Sequence, residues 1–212
     1  MSLALLLCTW NAQATNLLNN ADFESGVFGT NLWNQDGIWN GEQNGSIVTG
    51  VNNGVGPYNG NGMFQIGDAG GGSAAQMAQW VGGAFTSGTT LTFDAMLNAN
   101  NAGAIVHMTI NAFIGNQLTT LVDDVLNLDG DTSTWQALSI STVLGSDVTG
   151  VYTQVWLPMQ SGYGGSNYID IAGNYAYVDG TVLTATGVPA PGALALFGLG
   201  LLAMAARRSK RG

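Results

Sequence analysis

An all-β antiparallel sandwich is the fold class this sequence predicts, and three observations predict it. Short runs of alternating apolar and polar residues recur at spacings of ten to fifteen residues between Asn16 and Thr186. Clusters of Gly, Asn and Ser separate them, drawn from 32 Gly and 20 Asn in 212 residues. Hydrophobic residues make up 46% of the chain, with six Trp, six Tyr and seven Phe, so a core can be built although only 8% of residues are charged. No repeat of fixed period is visible, and the length suits one domain.

Taken in order, the first element is an address rather than structure. Residues 1–14 run Leu3-Ala-Leu-Leu-Leu7 into Ala12-Gln13-Ala14, the apolar region and A-x-A cleavage site of a secretory signal peptide. No positive region precedes the run, so the signal reads as incomplete at its start. A lipoprotein reading of Cys8 fails at Leu7, where a small residue is needed.

Residues 15–187 form the body. Val51 to Gly62 and Asp68 to Ser73 read as long surface loops, because each Gly in a helix would cost about 1 kcal/mol relative to Ala. Strands are expected at Thr89–Leu97, Ile105–Ile114, Leu118–Leu128, Trp135–Val143, Val151–Leu157 and Tyr175–Ala185. In the second of these, Val106, Met108, Ile110, Ala112 and Ile114 share one face, while His107, Thr109 and Asn111 share the other. In Val151–Leu157, the face with Val151, Val155 and Leu157 points inward, opposite Tyr152, Gln154 and Trp156. Trp33, Trp80 and Trp135 read as core.

Charge excludes whole classes of function. The four basic residues are Arg207, Arg208, Lys210 and Arg211, so everything before them carries 13 acids, no Lys and no Arg. A nucleic-acid binder needs cations against phosphates, and this body has none to offer. A charged coiled coil would need both signs. Cys8 is the sole cysteine, which rules out a disulfide framework and a cysteine zinc site.

The C-terminal element, residues 188–212, has three parts: Val188-Pro189-Ala190-Pro191, an apolar stretch from Ala193 to Ala206, and the basic cluster led by Arg207 and Arg208. The apolar stretch reads as a short helix. At about 1.5 Å per residue it reaches roughly 21 Å, short of a membrane core of about 30 Å; counted from Val188 it becomes a marginal span. The basic end would stay on the cytoplasmic side. This arrangement closely resembles the PEP-CTERM sorting signal of Gram-negative bacteria that make exopolysaccharide, with Ala190 in place of the usual Glu. The resemblance implies an exosortase as partner, transient insertion in the inner membrane, cleavage near the motif, and release to the cell surface or extracellular matrix.

A second resemblance covers the body. Asn16-Leu-Leu-Asn-Asn-Ala-Asp-Phe-Glu24, Thr89-Thr-Leu-Thr-Phe-Asp-Ala95, Thr134-Trp-Gln-Ala-Leu-Ser139 and Tyr177-Val-Asp-Gly-Thr-Val-Leu183 are similar to segments of jelly-roll carbohydrate-binding modules. That resemblance implies a jelly-roll sandwich and a structural Ca²⁺ held by Asp22, Glu24 and Asp179, with backbone carbonyls completing its oxygen shell. The alternative for these acids is turn capping. The other acidic knot, Asp123-Asp124 with Asp129-Gly-Asp131, lacks the closing Glu of a calcium loop and reads as a solvated turn.

For polysaccharide, the candidate surface is His107 and Asn111 from one strand with Tyr152, Gln154 and Trp156 from another: rings to stack on sugar faces, amides to bond hydroxyls. The alternative is that these side chains pack inside the protein. No nucleophile elbow, zinc helix or phosphate loop occurs. A glycosidase needs two carboxyl groups across a cleft, and 13 acids make some pair inevitable, so their presence says nothing. The sequence therefore reads as an exported, non-enzymatic surface or matrix protein associating with polysaccharide. An inert structural protein without sugar binding is the competing class, and a glycoside-processing enzyme a distant third.

Overall fold

The structure, a computed structural model, describes residues 15–25, 40–42, 45–67, 75–115, 117–157 and 175–187. The signal-peptide residues, Trp33, the 68–73 loop, the sorting motif from Val188 to Pro191 with Arg207 and Arg208, and the expected C-terminal helix all lie outside them.

Ten strands are described: β1 (Asn40–Glu42), β2 (Ser46–Thr49), β3 (Gly62–Gly67), β4 (Ala75–Phe85), β5 (Thr90–Ala99), β6 (Ala104–Ile114), β7 (Gln117–Leu128), β8 (Gln136–Val143), β9 (Val148–Leu157) and β10 (Tyr175–Thr186). They build two antiparallel sheets, a first of order β1-β4-β9-β6-β7 and a second of order β2-β3-β10-β5-β8. The chain crosses between the sheets at every connection except β2–β3 and β6–β7, and no helix among the described residues is long and apolar enough to cross a membrane.

All six expected strands occur, five with both ends within two residues of those expected and the sixth, β9, starting three residues earlier, at Val148. Their alternation is the reason: apolar side chains at every second position meet across the sandwich and leave water. Met77 and Val81 of β4, Val106, Met108, Ile110 and Ala112 of β6, and Val151, Val155 and Leu157 of β9 form one inner wall. Phe64 and Ile66 of β3, Leu91, Phe93, Ala95 and Leu97 of β5, Ile140 of β8, and Val178 and Leu183 of β10 form the other. Ile114, expected on the inner face, is 43% exposed, two residues beyond the last β6–β9 pair, Ala112 with Val151.

The opening segment seals one end of the core. Leu17 N–H donates to the Leu183 carbonyl at 2.8 Å, and Thr181 N–H to that of Ala21 at 3.0 Å. Asn16 completes the pairing, its Oδ1 accepting from Leu183 N–H at 2.9 Å and its Nδ2 donating to the Thr181 carbonyl at 2.9 Å. On the other side, the fully buried Gln79 of β4 exchanges two hydrogen bonds with the Asn19 backbone, at 2.9 and 3.0 Å. Phe23, at φ +56°, turns into the core edge-on to Phe64, with ring centroids 5.7 Å apart.

The stretch from Val51 to Gly62 is more than a surface loop. It folds back over the outer side of the second sheet and carries Val55 into a small satellite core with Met63 and Tyr177, flanked by Val48, Trp135 and Tyr175. Tyr177 hydroxyl donates to Asn52 Oδ1 at 2.9 Å and accepts from Asn53 Nδ2 at 3.0 Å, and Trp135 Nε1–H donates to the Gly56 carbonyl at 3.1 Å. Burial raises the Tyr177 phenol above its ordinary range. Trp135 thus belongs to this satellite rather than to the main core. No local pattern marks that, since Gly- and Asn-rich segments hide a single apolar anchor.

Candidate functional site

The candidate surface is the outer face of the first sheet. Register places three side chains from each of three strands in rows across it. His107 of β6 stands opposite Trp156 of β9, Thr109 opposite Gln154, and Asn111 opposite Tyr152. On the far side of β9, Gln76 of β4 pairs with Trp156 and Trp80 with Tyr152. Successive rows are about 7 Å apart along the strands.

At one end of this face the His107 imidazole lies on the Trp156 indole, with centroids 4.2 Å apart and planes 28° apart. His107 Nδ1 is 3.0 Å from Asp123 Oδ1 on β7. In the middle, Gln154 Nε2 donates to Gln76 Oε1, and Gln154 Oε1 accepts from Thr109 Oγ1 at 3.3 Å. At the other end Trp80 meets Phe113 edge-on at 5.7 Å.

The five sequence-predicted residues do share this face, in two tiers. His107, Gln154 and Trp156 are half-buried. Asn111 and Tyr152 are only 3% exposed. The Asn111 amide donates to Thr109 Oγ1 at 2.8 Å and accepts from Thr120 Oγ1 at 2.7 Å, so it braces the sheet beneath the surface. Tyr152 packs with Ala78 and Trp80.

Trp80, expected in the core, sits here instead. Gly150, beside it on β9, is what makes room, since a Cβ there would overlap the indole. The reading of the sequence missed Trp80 and Gln76 as members of this face because Gly82 and Gly83 interrupt the alternation of β4, and the register shifts there; Phe113 follows His107, Thr109 and Asn111 at every second position of β6 and was legible from that alternation. Reading backward from Val81 as an inward residue would have placed Trp80 outward.

The acidic trio resolves into a pair. Asp179 of β10 is fully buried at a bulge, its Oδ2 accepting from Tyr58 and Asn59 N–H at 2.9 and 3.0 Å and its Oδ1 from Gly180 N–H at 2.6 Å. Desolvation raises the Asp179 carboxyl above the usual aspartate range; the three N–H groups oppose that, and the neighbouring Glu24 charge adds to it. Glu24 Oε1 accepts from Gly62 and Asn61 N–H, both at 2.7 Å, which holds its carboxyl below the usual glutamate range.

Asp22 does not join them. Its Oδ1 faces Glu24 N–H at 3.4 Å, and it lines a separate open cavity of about 420 Å³ with Asn16, Asn20 and Thr181. Among the described residues no three His, Cys, Asp or Glu side chains are grouped so as to hold a metal ion, which corrects the expected set of three. A cation does fit Glu24 and Asp179 alone. Glu24 Oε2 has no hydrogen-bond donor among the described residues, Asp179 Oδ1 has only one, and the body lacks Lys and Arg to offset two adjacent carboxylates. Of the other acidic knot only Asp129 and Asp131 lie in a turn, where Asp131 accepts from Ser133 Oγ–H at 2.6 Å, Ser133 N–H at 3.0 Å and Thr134 Oγ1–H at 2.9 Å, which lowers its carboxyl; Asp123 and Asp124 lie inside β7, which corrects the turn expected for them.

Residues 187–211 match the PEP-CTERM protein-sorting motif. The chain carries a PEP-CTERM signal. The signal marks a protein exported and processed at the membrane of a Gram-negative bacterium, which agrees with the tripartite tail read from the sequence. Among solved structures, the body of this chain is similar to TmCBM61, solved in complex with β-1,4-galactotriose, at a TM-score of 0.54 and 13% identity over 82% of this chain and 100% of that one. It is also similar to a CBM4 module, at 0.52 and 19% identity over 80% and 99%. The CBM22-1 xylan-binding domain of Xyn10C from Paenibacillus barcinonensis matches at 0.54 and 12% identity over 83% and 97%. At such identities the likeness establishes the jelly roll as the fold and nothing further. No curated protein matches the chain.

Proposed function

We propose that the body is a non-enzymatic polysaccharide-binding module of an exported protein, sorted by an exosortase and released to the cell surface or extracellular matrix. The glycan surface is the outer face of the first sheet. The observation that carries this reading is the half-buried His107–Trp156 ring pair beside the Gln76–Gln154 amide pair. Rings present apolar faces to the C–H side of a sugar while amides bond its hydroxyls. The solved neighbours named above, one holding a galactotriose and one named as xylan-binding, support it by analogy of fold.

The test is binding of the full chain to immobilised galactan, xylan and an acidic polysaccharide, with and without Ca²⁺. Retention on at least one, lost in Trp156→Ala, is the expected result. Binding to none overturns the reading in favour of an inert structural protein, which the burial of Asn111 and Tyr152 favours.

Two further parts belong to this proposal. Glu24 and Asp179 hold one structural Ca²⁺, with backbone carbonyls supplying further oxygens. A chelator then lowers the melting temperature by several degrees, and an unchanged melting curve refutes the ion. Processing removes residues 1–14 and the tail after about Pro191. The intact mass of the extracellular form checks both cuts, and a secreted species retaining Arg207 to Arg211 would contradict the second.

A further inference from the structure

We propose that Asp123 is a positioning residue for the glycan surface: it fixes the tautomer and ring plane of His107, so that Nε2 is presented as a hydrogen-bond acceptor at the edge of a two-ring platform. This rests on the polysaccharide-binding reading above for its ligand, but not for its geometry. A carboxylate can only accept, so the His107 nitrogen 3.0 Å from Asp123 Oδ1 and 3.3 Å from Oδ2 must carry the hydrogen. A neutral imidazole with hydrogen on Nδ1 has its lone pair on Nε2. Neutral imidazole in water otherwise prefers the hydrogen on Nε2, so the carboxylate reverses the default.

Three observations converge on this role. The His107 side chain keeps 15% of its surface exposed, and Nε2 is not among the buried polar atoms left without a partner. The ring is held from two sides, by Asp123 of β7 and by the Trp156 indole 4.2 Å away on β9. Among the described residues no other charged side chain faces it: β9 contributes Trp156 and Gln154, β6 contributes Thr109, and Val125 stands opposite on β7. Asp124, next along β7, alternates to the other side, its Oδ1 near Val125 N–H. The group such an edge takes is a hydroxyl that donates, as a sugar offers.

The chain holds a single histidine, so its imidazole resonances report this site alone. The experiment records the ring nitrogen and carbon shifts of the histidine-labelled full chain in non-ionic detergent at pH 8, for wild type, Asp123→Ala and Asp123→Asn. Wild type is expected in the Nδ1–H form, Asp123→Ala shifted toward Nε2–H, and Asp123→Asn close to wild type because the amide oxygen still accepts. Affinity for a galactan or xylan fragment follows the same order, about tenfold weaker in Asp123→Ala and within about twofold in Asp123→Asn. An Nε2–H wild type, or an Asp123→Ala spectrum identical to it, overturns the proposal whether or not any glycan binds. The predicted spectra without glycan binding would leave Asp123 as the tautomer lock and refute only the polysaccharide reading.

Discussion

The outer faces of the two sheets are built from different residues to different ends. The face of the first sheet carries His107, Trp156, Trp80, Gln76 and Gln154, large side chains left partly open to water. On the second sheet, rows such as Thr184, Thr92 and Ser141 present small hydroxyls, with Thr92 Oγ1 and Ser141 Oγ 3.1 Å apart. Its other end is covered by the 51–62 loop, clipped down by Asp179, Glu24 and Tyr177. Large aromatic and amide side chains on an open face have a use in recognition, whereas hydroxyl rows satisfy strand propensity and hydration without adding a pocket. One face is thus expected to govern binding and the other stability.

The sharpest break in that contrast comes from Asp179→Ala. It leaves two loop N–H groups, of Tyr58 and Asn59, and that of Gly180 in β10 without their acceptor in a buried place, at a cost of about 3 kcal/mol, or roughly 6–12 °C in melting temperature. Affinity at the first sheet should stay within twofold of wild type (about 0.4 kcal/mol). A large affinity loss would mean that the two faces are coupled.

Trp156→Ala is the reciprocal case. Removal of a central ring typically costs about 2 kcal/mol of binding, near thirtyfold, with little change in melting because the side chain is half-exposed. Thr92→Ala on the other sheet is its control, and a loss of binding there would relocate the site.

Gly150→Ala sharpens the picture further. The added methyl displaces the Trp80 indole, and about a fivefold weakening, near 1 kcal/mol, is the expected titration result. An unchanged affinity would remove Trp80 from the glycan surface.

The smallest effect is in pH. Because the Asp179 carboxyl is raised in the folded state, the folded protein binds more protons than the unfolded chain between the two values. The Asp179 contribution to the stability of the metal-free protein is therefore full below the usual aspartate value of about 4 and declines as pH rises through the raised one, opposite in sign to those of Glu24 and Asp131, whose lowered carboxyls lose stability as pH falls. Added Ca²⁺ should cancel the decline, since the ion stabilises the ionised form. Chemical denaturation of wild type and Asp179→Asn at several pH values, with and without Ca²⁺, isolates this contribution, and a metal-free difference that moves in favour of wild type as pH rises would reverse the sign assigned to Asp179.

The strands and their inward faces were legible because alternation is local: Val151, Val155 and Leu157 announce an inner face without knowledge of what covers them. The shared face of His107 and Trp156 was legible for the same reason, each strand showing its polar side. Illegible were Trp80, hidden by a glycine-disrupted strand, and the two-tier burial that sinks Asn111 and Tyr152 beneath the surface. Depth depends on the neighbours that flank a side chain on adjacent strands, and strand order cannot be read from alternation. The resemblance of the opening and closing segments to one family anticipated their meeting, yet it included Asp22, which the local turn at Asn20 to Phe23 directs elsewhere.

By itself, then, the sequence determined the all-β class, the inner wall of each long strand, the absence of cationic chemistry in the body and the sorting tail. All of these are carried by residue type and short-range period. Tertiary structure alone decided that Asp123 meets His107 across sixteen residues, that Trp80 meets Phe113, and that Asp179 reaches the amides of Tyr58 and Asn59 from more than a hundred residues away. Such contacts are set by strand order, register and bulges. These follow from the summed packing of two sheets and leave no mark on the local pattern of either partner.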